Sequence, residues 1–78
     1  MEATLRRLIS ECVHLDLPID DLSNDANLYE AGLQSLATVK LMIAIEDAFG
    51  IELPDHLLTR QTFSSIDSLA AAIRTMRK

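Results

Sequence analysis

An all-α fold is expected, a small bundle of three main helices plus one short helix. Apolar residues recur at helical spacing between residues 5 and 13 and again between 66 and 76. Between them, Leu36 to Phe49 is the most apolar run of the chain and contains no Gly or Pro. Apolar residues make up 49% and aromatics only 4%, which suits a helical core of Leu, Ile, Val and Ala. At 78 residues the chain is expected to fold as one domain over 1–78. A domain of this size buries only about 60% or slightly more of its unfolded surface, so modest stability is expected.

In chain order, Leu5, Leu8, Ile9, Cys12 and Val13 form one apolar stripe of a first helix. Cys12 lies within that stripe and is expected to be a buried, inert thiol rather than a nucleophile. His14 falls on the opposite, solvent-facing side without a partner at metal-ligand spacing, and His56 completes no site. Pro18 is expected to stop the helix, because the residue before a proline disfavours helical backbone. The loop from Leu17 to Gln34 is long for so small a domain, and Ile19, Leu22, Leu28 and Leu33 are its expected pins. Asp21, Ser23, Asp25 and Asn27 have the look of a calcium loop, but the register fails. Ala26 stands at the invariant Gly position and Gly32 where a bidentate Glu is needed, so no high-affinity metal site is expected, and weak cation binding by the acids stays open.

The loop meets the central helix at Gly32-Leu33-Gln34-Ser35-Leu36. Gly32 can take a positive φ and turn the chain sharply, which sets Ser35 at or beside the helix N-cap. Backbone N–H groups there lack intrahelical partners, and the helix dipole adds partial positive charge. A hydroxyl at that point can carry a phosphate, or it can serve only as a cap. Along the helix, an advance of about 100° per residue sorts the apolar side chains into two faces. Leu41, Met42, Ile45, Ala48 and Phe49 are assigned to the core. Leu36, Val39 and Ile43 fall on the other face among Lys40, Glu46 and Asp47, and an apolar patch ringed by charge marks a partner surface.

Gly50 is the expected left-handed residue after that helix. Ile51 and Leu53 then point back to the core, and Asp55 to Arg60 has room only for a short helix or turn anchored by Leu57 or Leu58. Ser64 and Asp67 have the spacing of a weak capping box for the last helix, with Ile66, Leu69, Ala70, Ile73 and Met76 as its apolar stripe. Arg74, Arg77 and Lys78 complement the dipole at its C-terminal end.

The net charge of −5 is unevenly spread. From Asp16 to Asp55 nine acids face Lys40 alone, a local −8, while residues 1–15 balance and 56–78 carry +3. A nucleic-acid partner needs a basic face to neutralise phosphates, so the central segment excludes one and favours basic protein partners. No apolar run approaches the roughly 20 residues of a membrane span. The N-terminal residues are broken by Glu2, Arg6, Arg7 and Glu11 and do not read as a secretory signal. With a single Cys, no internal disulfide is possible, and a cytoplasmic monomer is expected. No Ser/His/Asp or Cys/His set, catalytic carboxylate pair or phosphate-binding Gly loop is present, so the protein is not expected to be an enzyme.

Gly32-Leu33-Gln34-Ser35-Leu36-Ala37-Thr38-Val39-Lys40-Leu41, followed by Glu46-Asp47-Ala48-Phe49-Gly50-Ile51-Glu52-Leu53-Pro54-Asp55, resembles the acyl carrier protein family. In that family the serine of a Gly-x-Asp-Ser-Leu motif opens the second helix and is esterified by 4′-phosphopantetheine. The resemblance spans essentially the whole chain and implies a right-handed helical bundle. It implies that Ser35 takes 4′-phosphopantetheine from coenzyme A through a phosphopantetheinyl transferase, and that the arm's thiol holds cargo as a thioester. It also implies that Gln34, Leu36, Val39, Lys40, Ile43, Glu46 and Asp47 meet successive partners: the transferase, an acyl- or amino-acid-activating ligase and downstream transferases. Gln34 stands where the family usually has Asp, and Lys40 also departs from the usual acidic pattern. Both point toward a specialised system with an amino-acid-activating ligase, while an acyl cargo and an aminoacyl or peptidyl cargo stay open. The reading from another class is an unmodified helical adaptor that binds proteins through Leu36, Val39 and Ile43.

Overall fold

A computed structural model describes residues 1–76. Among these, four α-helices occur and no strand: α1 Glu2–Cys12, α2 Leu28–Ala31, α3 Ser35–Phe49 and α4 Ile66–Met76. Two 3-10 turns, Ile19–Asp21 and Asp55–Leu57, sit in the connections. The bundle of three main helices is therefore as expected. The short elements number three, and the helical turn α2 falls inside the segment read as loop. Asn27 explains it, because its side chain accepts hydrogen bonds from the Tyr29 and Glu30 N–H groups at the N-cap.

The first helix is the hub. Leu5 and Ile9 are fully buried and Leu8 nearly so, and α1 packs against both α3 and α4. α1 ends at Cys12, well before Pro18, because Val13 is already extended while its N–H caps the Ile9 carbonyl. The extended exit lets the Asp16 N–H donate to the Ala31 carbonyl at 3.1 Å. Cys12 is only half-buried at the edge of the core, short of the burial expected for it, because the helix stops there. His14 is exposed.

The long first connection is held by polar contacts as well as by its apolar pins. Leu22, Leu28 and Leu33 are buried, and Ile19 packs against the core half-buried. The Arg6 guanidinium donates to the Ile19 carbonyl at 2.7 Å and to Asn24 Oδ1 at 2.6 Å. Asn24 Nδ2 donates in turn to Glu2 Oε1 at 2.6 Å. Backbone bonds from Leu28 N–H to Ser64 O and from Asp67 N–H to Asn24 O then fasten the loop to the start of α4.

Two further expectations shift. The cap of α4 is Ser65, whose Oγ accepts from the Ser68 N–H, while Ser64 Oγ donates to the Gln61 carbonyl. Ser64 is drawn out of the cap position because its own carbonyl receives Leu28. Ala48, assigned to the core, is exposed. α3 has 15 residues against 11 in α1, and Ala48 lies on its last turn, where a one-carbon side chain reaches no neighbour. Leu57, and not the more exposed Leu58, anchors the turn after Pro54. Of the bases expected at the end of α4, Arg74 is exposed on its last turn, while Arg77 and Lys78 lie outside the described residues.

Candidate functional site

The site is built by the turn that feeds α3. Gly32 has φ +130°, outside the range of ordinary side-chain-bearing residues. A Cβ there would also lie 2.6 Å from the His14 carbonyl oxygen, so the glycine serves both the turn and the close approach of the segment after α1. Leu33 N–H donates to Leu28 O at 2.9 Å, closing α2, and the buried Leu33 side chain anchors the turn. The chain then enters α3 with its next three side chains exposed: Gln34, Ser35 and Leu36.

The cap position belongs to Gln34, with Ser35 as the first helical residue. The Gln34 side chain makes no capping bond, although the Gln34 backbone carbonyl accepts both the Thr38 N–H and the Thr38 hydroxyl. The Ser35 hydroxyl has no hydrogen-bond partner among the described residues. Neither side chain occupies the orphan N–H groups of the first turn, which face an incoming anion together with the positive end of the helix dipole. The hydroxyl is thus free of the capping role that would compete with derivatisation.

Ser35 opens on a cleft of about 410 Å³ between α3 and the segment that follows Asp55–Leu57. Val39, Met42, Leu58 and Phe63 supply apolar wall, and Tyr29 and Arg60 supply the polar rim. The Arg60 guanidinium carbon stands 3.9 Å from the centre of the Tyr29 ring, a cation–π stack. These residues escaped the sequence reading. Asn27 before Leu28 was a readable signal for the helical turn that carries Tyr29, but nothing local placed Arg60 on the cleft that Ser35 lines, since that cleft is made by the fold.

The other predicted site residues sort by exposure. Leu36 is 70% exposed, Ile43 56% and Val39 50%, an apolar face left to solvent while Leu41 and Ile45 are fully buried on the opposite side. Lys40 and Asp47 are exposed beside them. Glu46 is different. It is half-buried, and its Oε2 accepts from the Leu53 N–H at 2.8 Å, so it holds the return of the chain after Gly50 instead of standing free. Its carbonyl also receives the Gly50 and Ile51 N–H groups.

Comparison with known proteins agrees with this geometry. The family model for the phosphopantetheine attachment site matches residues 3–73. The chain belongs to this family. An aminoacyl carrier protein from Agrobacterium fabrum is 43% identical over 74 residues, covering 95% of this chain and 89% of that protein. Among solved structures, engineered Bradyrhizobium japonicum glycine:[carrier protein] ligase complexed with carrier protein from Agrobacterium tumefaciens and ATP contains a chain that matches with TM-score 0.92. That chain is 41% identical, and the match covers 96% of this chain and 97% of it. The corresponding AMP complex matches with TM-score 0.91 at 43% identity, over 95% and 99% of the two chains.

As a member of this family the protein is a carrier, with covalently attached 4′-phosphopantetheine as its cofactor and a thioester-bound acyl or aminoacyl group as its load. The site fits the group: an exposed, unpartnered hydroxyl on the first turn of a helix, next to a cleft with apolar walls and a cationic rim. No described helix is long and apolar enough to cross a membrane.

Proposed function

We propose that Ser35 is the attachment residue and that the load is an amino acid, delivered by an ATP-dependent ligase that docks on Leu36, Val39 and Ile43. The observation that carries the reading is the bare Ser35 hydroxyl at the start of a helix whose next exposed residues are apolar. Attached, the arm supplies a terminal thiol that holds the amino acid as a thioester. The chain's own residues do the rest. Gly32 turns the backbone so that Ser35 projects, and the open N–H groups of the first turn favour the phosphate's negative charge. Leu36, Val39 and Ile43 give an enzyme an apolar landing beside the serine.

An aminoacyl load is supported by the aminoacyl carrier relative and by the glycine-activating ligases bound to similar carriers. Glycine is therefore the first amino acid to test. Gln34 and Lys40 fit the same reading, since a partner matched to this carrier meets less negative charge around the serine than the usual acidic pattern presents. The chain acts in this scheme as carrier and not as enzyme, as a monomer in the cytoplasm, over one domain of residues 1–78.

Intact mass after incubation with coenzyme A and a phosphopantetheinyl transferase tests the assignment. The natural chain is expected to gain one phosphopantetheine and Ser35→Ala none. Gln34→Asp is expected to be modified faster by a transferase that relies on the usual carboxylate. Absence of the added mass on the protein from its own host and on Gln34→Asp alike would leave Ser35 as an ordinary helix-start residue.

A further inference from the structure

The cleft beside Ser35 has one charged residue among its described lining, Arg60, and no carboxylate. Its α3 wall falls in an acid-free stretch from Ala31 to Ile45, although residues 16–55 as a whole carry −8. Among the described residues no carboxylate pairs with the Arg60 guanidinium. Its partner is the face of Tyr29, at 3.9 Å from the ring centre. Stacking uses the flat π surface of a guanidinium and leaves its N–H donors at the edge. Those edge donors match the spacing of two phosphate oxygens better than any other side chain does. A stacked arginine has also lost part of its freedom already, so less is lost when an anion arrives.

We infer that Arg60 is a positioning residue for the phosphate esterified to Ser35. This rests on the attachment reading above. A phosphodiester carries one negative charge at neutral pH, and the cleft offers it one unpaired cation without a competing acid. Tyr29 holds the guanidinium by its face, and the edge donors take the phosphate oxygens, which keeps the root of the arm against the cleft. The remaining length of the arm, beyond the phosphate, stays able to reach an enzyme docked on the exposed face of α3.

The test uses the full chain, with the state of Ser35 read by intact mass. Nitrogen-15 spectra of unmodified and modified protein are expected to differ at the Arg60 side-chain Nε–H and at the Tyr29 ring, and the difference is expected to shrink as salt is raised. Phosphorus-31 relaxation of the modified protein is expected to report a restrained phosphate. Arg60→Gln is expected to lose that restraint, Arg60→Lys to keep part of it, and Arg74→Gln, a charge-matched change at the exposed end of α4, to leave it intact. Unmodified Arg60→Gln that gives the spectrum of a folded bundle excludes a folding defect. Added mass with unchanged Arg60 and phosphorus signals would overturn the inference and leave the attachment reading standing. So would a slower ligase reaction for Arg60→Gln with those signals unchanged, which would place Arg60 in the docking surface. Absence of added mass from the protein of its own host and from Gln34→Asp alike overturns both.

Discussion

At the scale of single residues, Gly32 and Ser35 divide the work of the site between shape and chemistry. Gly32 holds φ +130° with the His14 carbonyl only 2.6 Å from where a Cβ would sit. Both the backbone energy and the contact oppose any side chain there. Gly32→Ala is expected to lose at least about 2 kcal/mol, a fall of roughly 8 °C or more in the melting temperature of a domain this small. A thermal melt of the variant measures it. Ser35 is the opposite case. Its hydroxyl caps nothing, so Ser35→Ala is expected to change stability by less than about 0.5 kcal/mol while abolishing modification. Had Ser35 been the cap, the loss would have been about 0.5–2 kcal/mol.

At the scale of the element, α3 is a helix with one face in the core and one face in water. Val39 sits on the wet face at 50% exposure. Val39→Asp is expected to leave the melt within about 0.5 kcal/mol but to lower ligase loading by roughly 30-fold, the equivalent of losing an anchor worth about 2 kcal/mol. Collapse of the melt would place Val39 in the core. The two acids near the end of α3 separate in the same way. Asp47→Lys is expected to slow loading at low salt, with the deficit shrinking at high salt, because an exposed charge steers association. Glu46→Lys is expected to lower the melting temperature as well, because the Leu53 N–H loses its acceptor and the turn after Gly50 loosens. A melt of Glu46→Lys equal to the parent's would remove this distinction.

At the scale of the whole molecule, the small core is supplemented by a polar clasp. Arg6, Asn24 and Glu2 join α1 to the long loop, and the Asn24 carbonyl reaches the start of α4. Asn24→Ala removes a neutral amide, yet it leaves Arg6 and Glu2 each short of a partner in a half-buried setting. A loss of about 1–3 kcal/mol in chemical denaturation is expected. Faster amide exchange is expected to spread through residues 17–27, because the Asn24 side chain joins the loop to both Arg6 and Glu2 of α1. Exchange confined to the mutated residue would show that the apolar pins Leu22 and Leu28 suffice alone.

The sequence by itself determined what is local. Helical spacing of Leu and Ile marks α1, α3 and α4, the positive φ of Gly32 and Gly50 follows from residue type, and the order Gly-x-x-Ser-Leu places a hydroxyl at a helix start. Each of these is set within a few residues, where backbone sterics and side-chain periodicity act directly. The outward direction of Leu36, Val39 and Ile43 was legible for the same reason. Tertiary structure decided the rest. Which helix lies at the centre and the move of the α4 cap from Ser64 to Ser65, whose neighbour's carbonyl receives Leu28, depend on distant partners. So does the arrival of Arg60 and Tyr29 beside Ser35, since a cleft is a relation between elements and leaves no periodic trace in either of them.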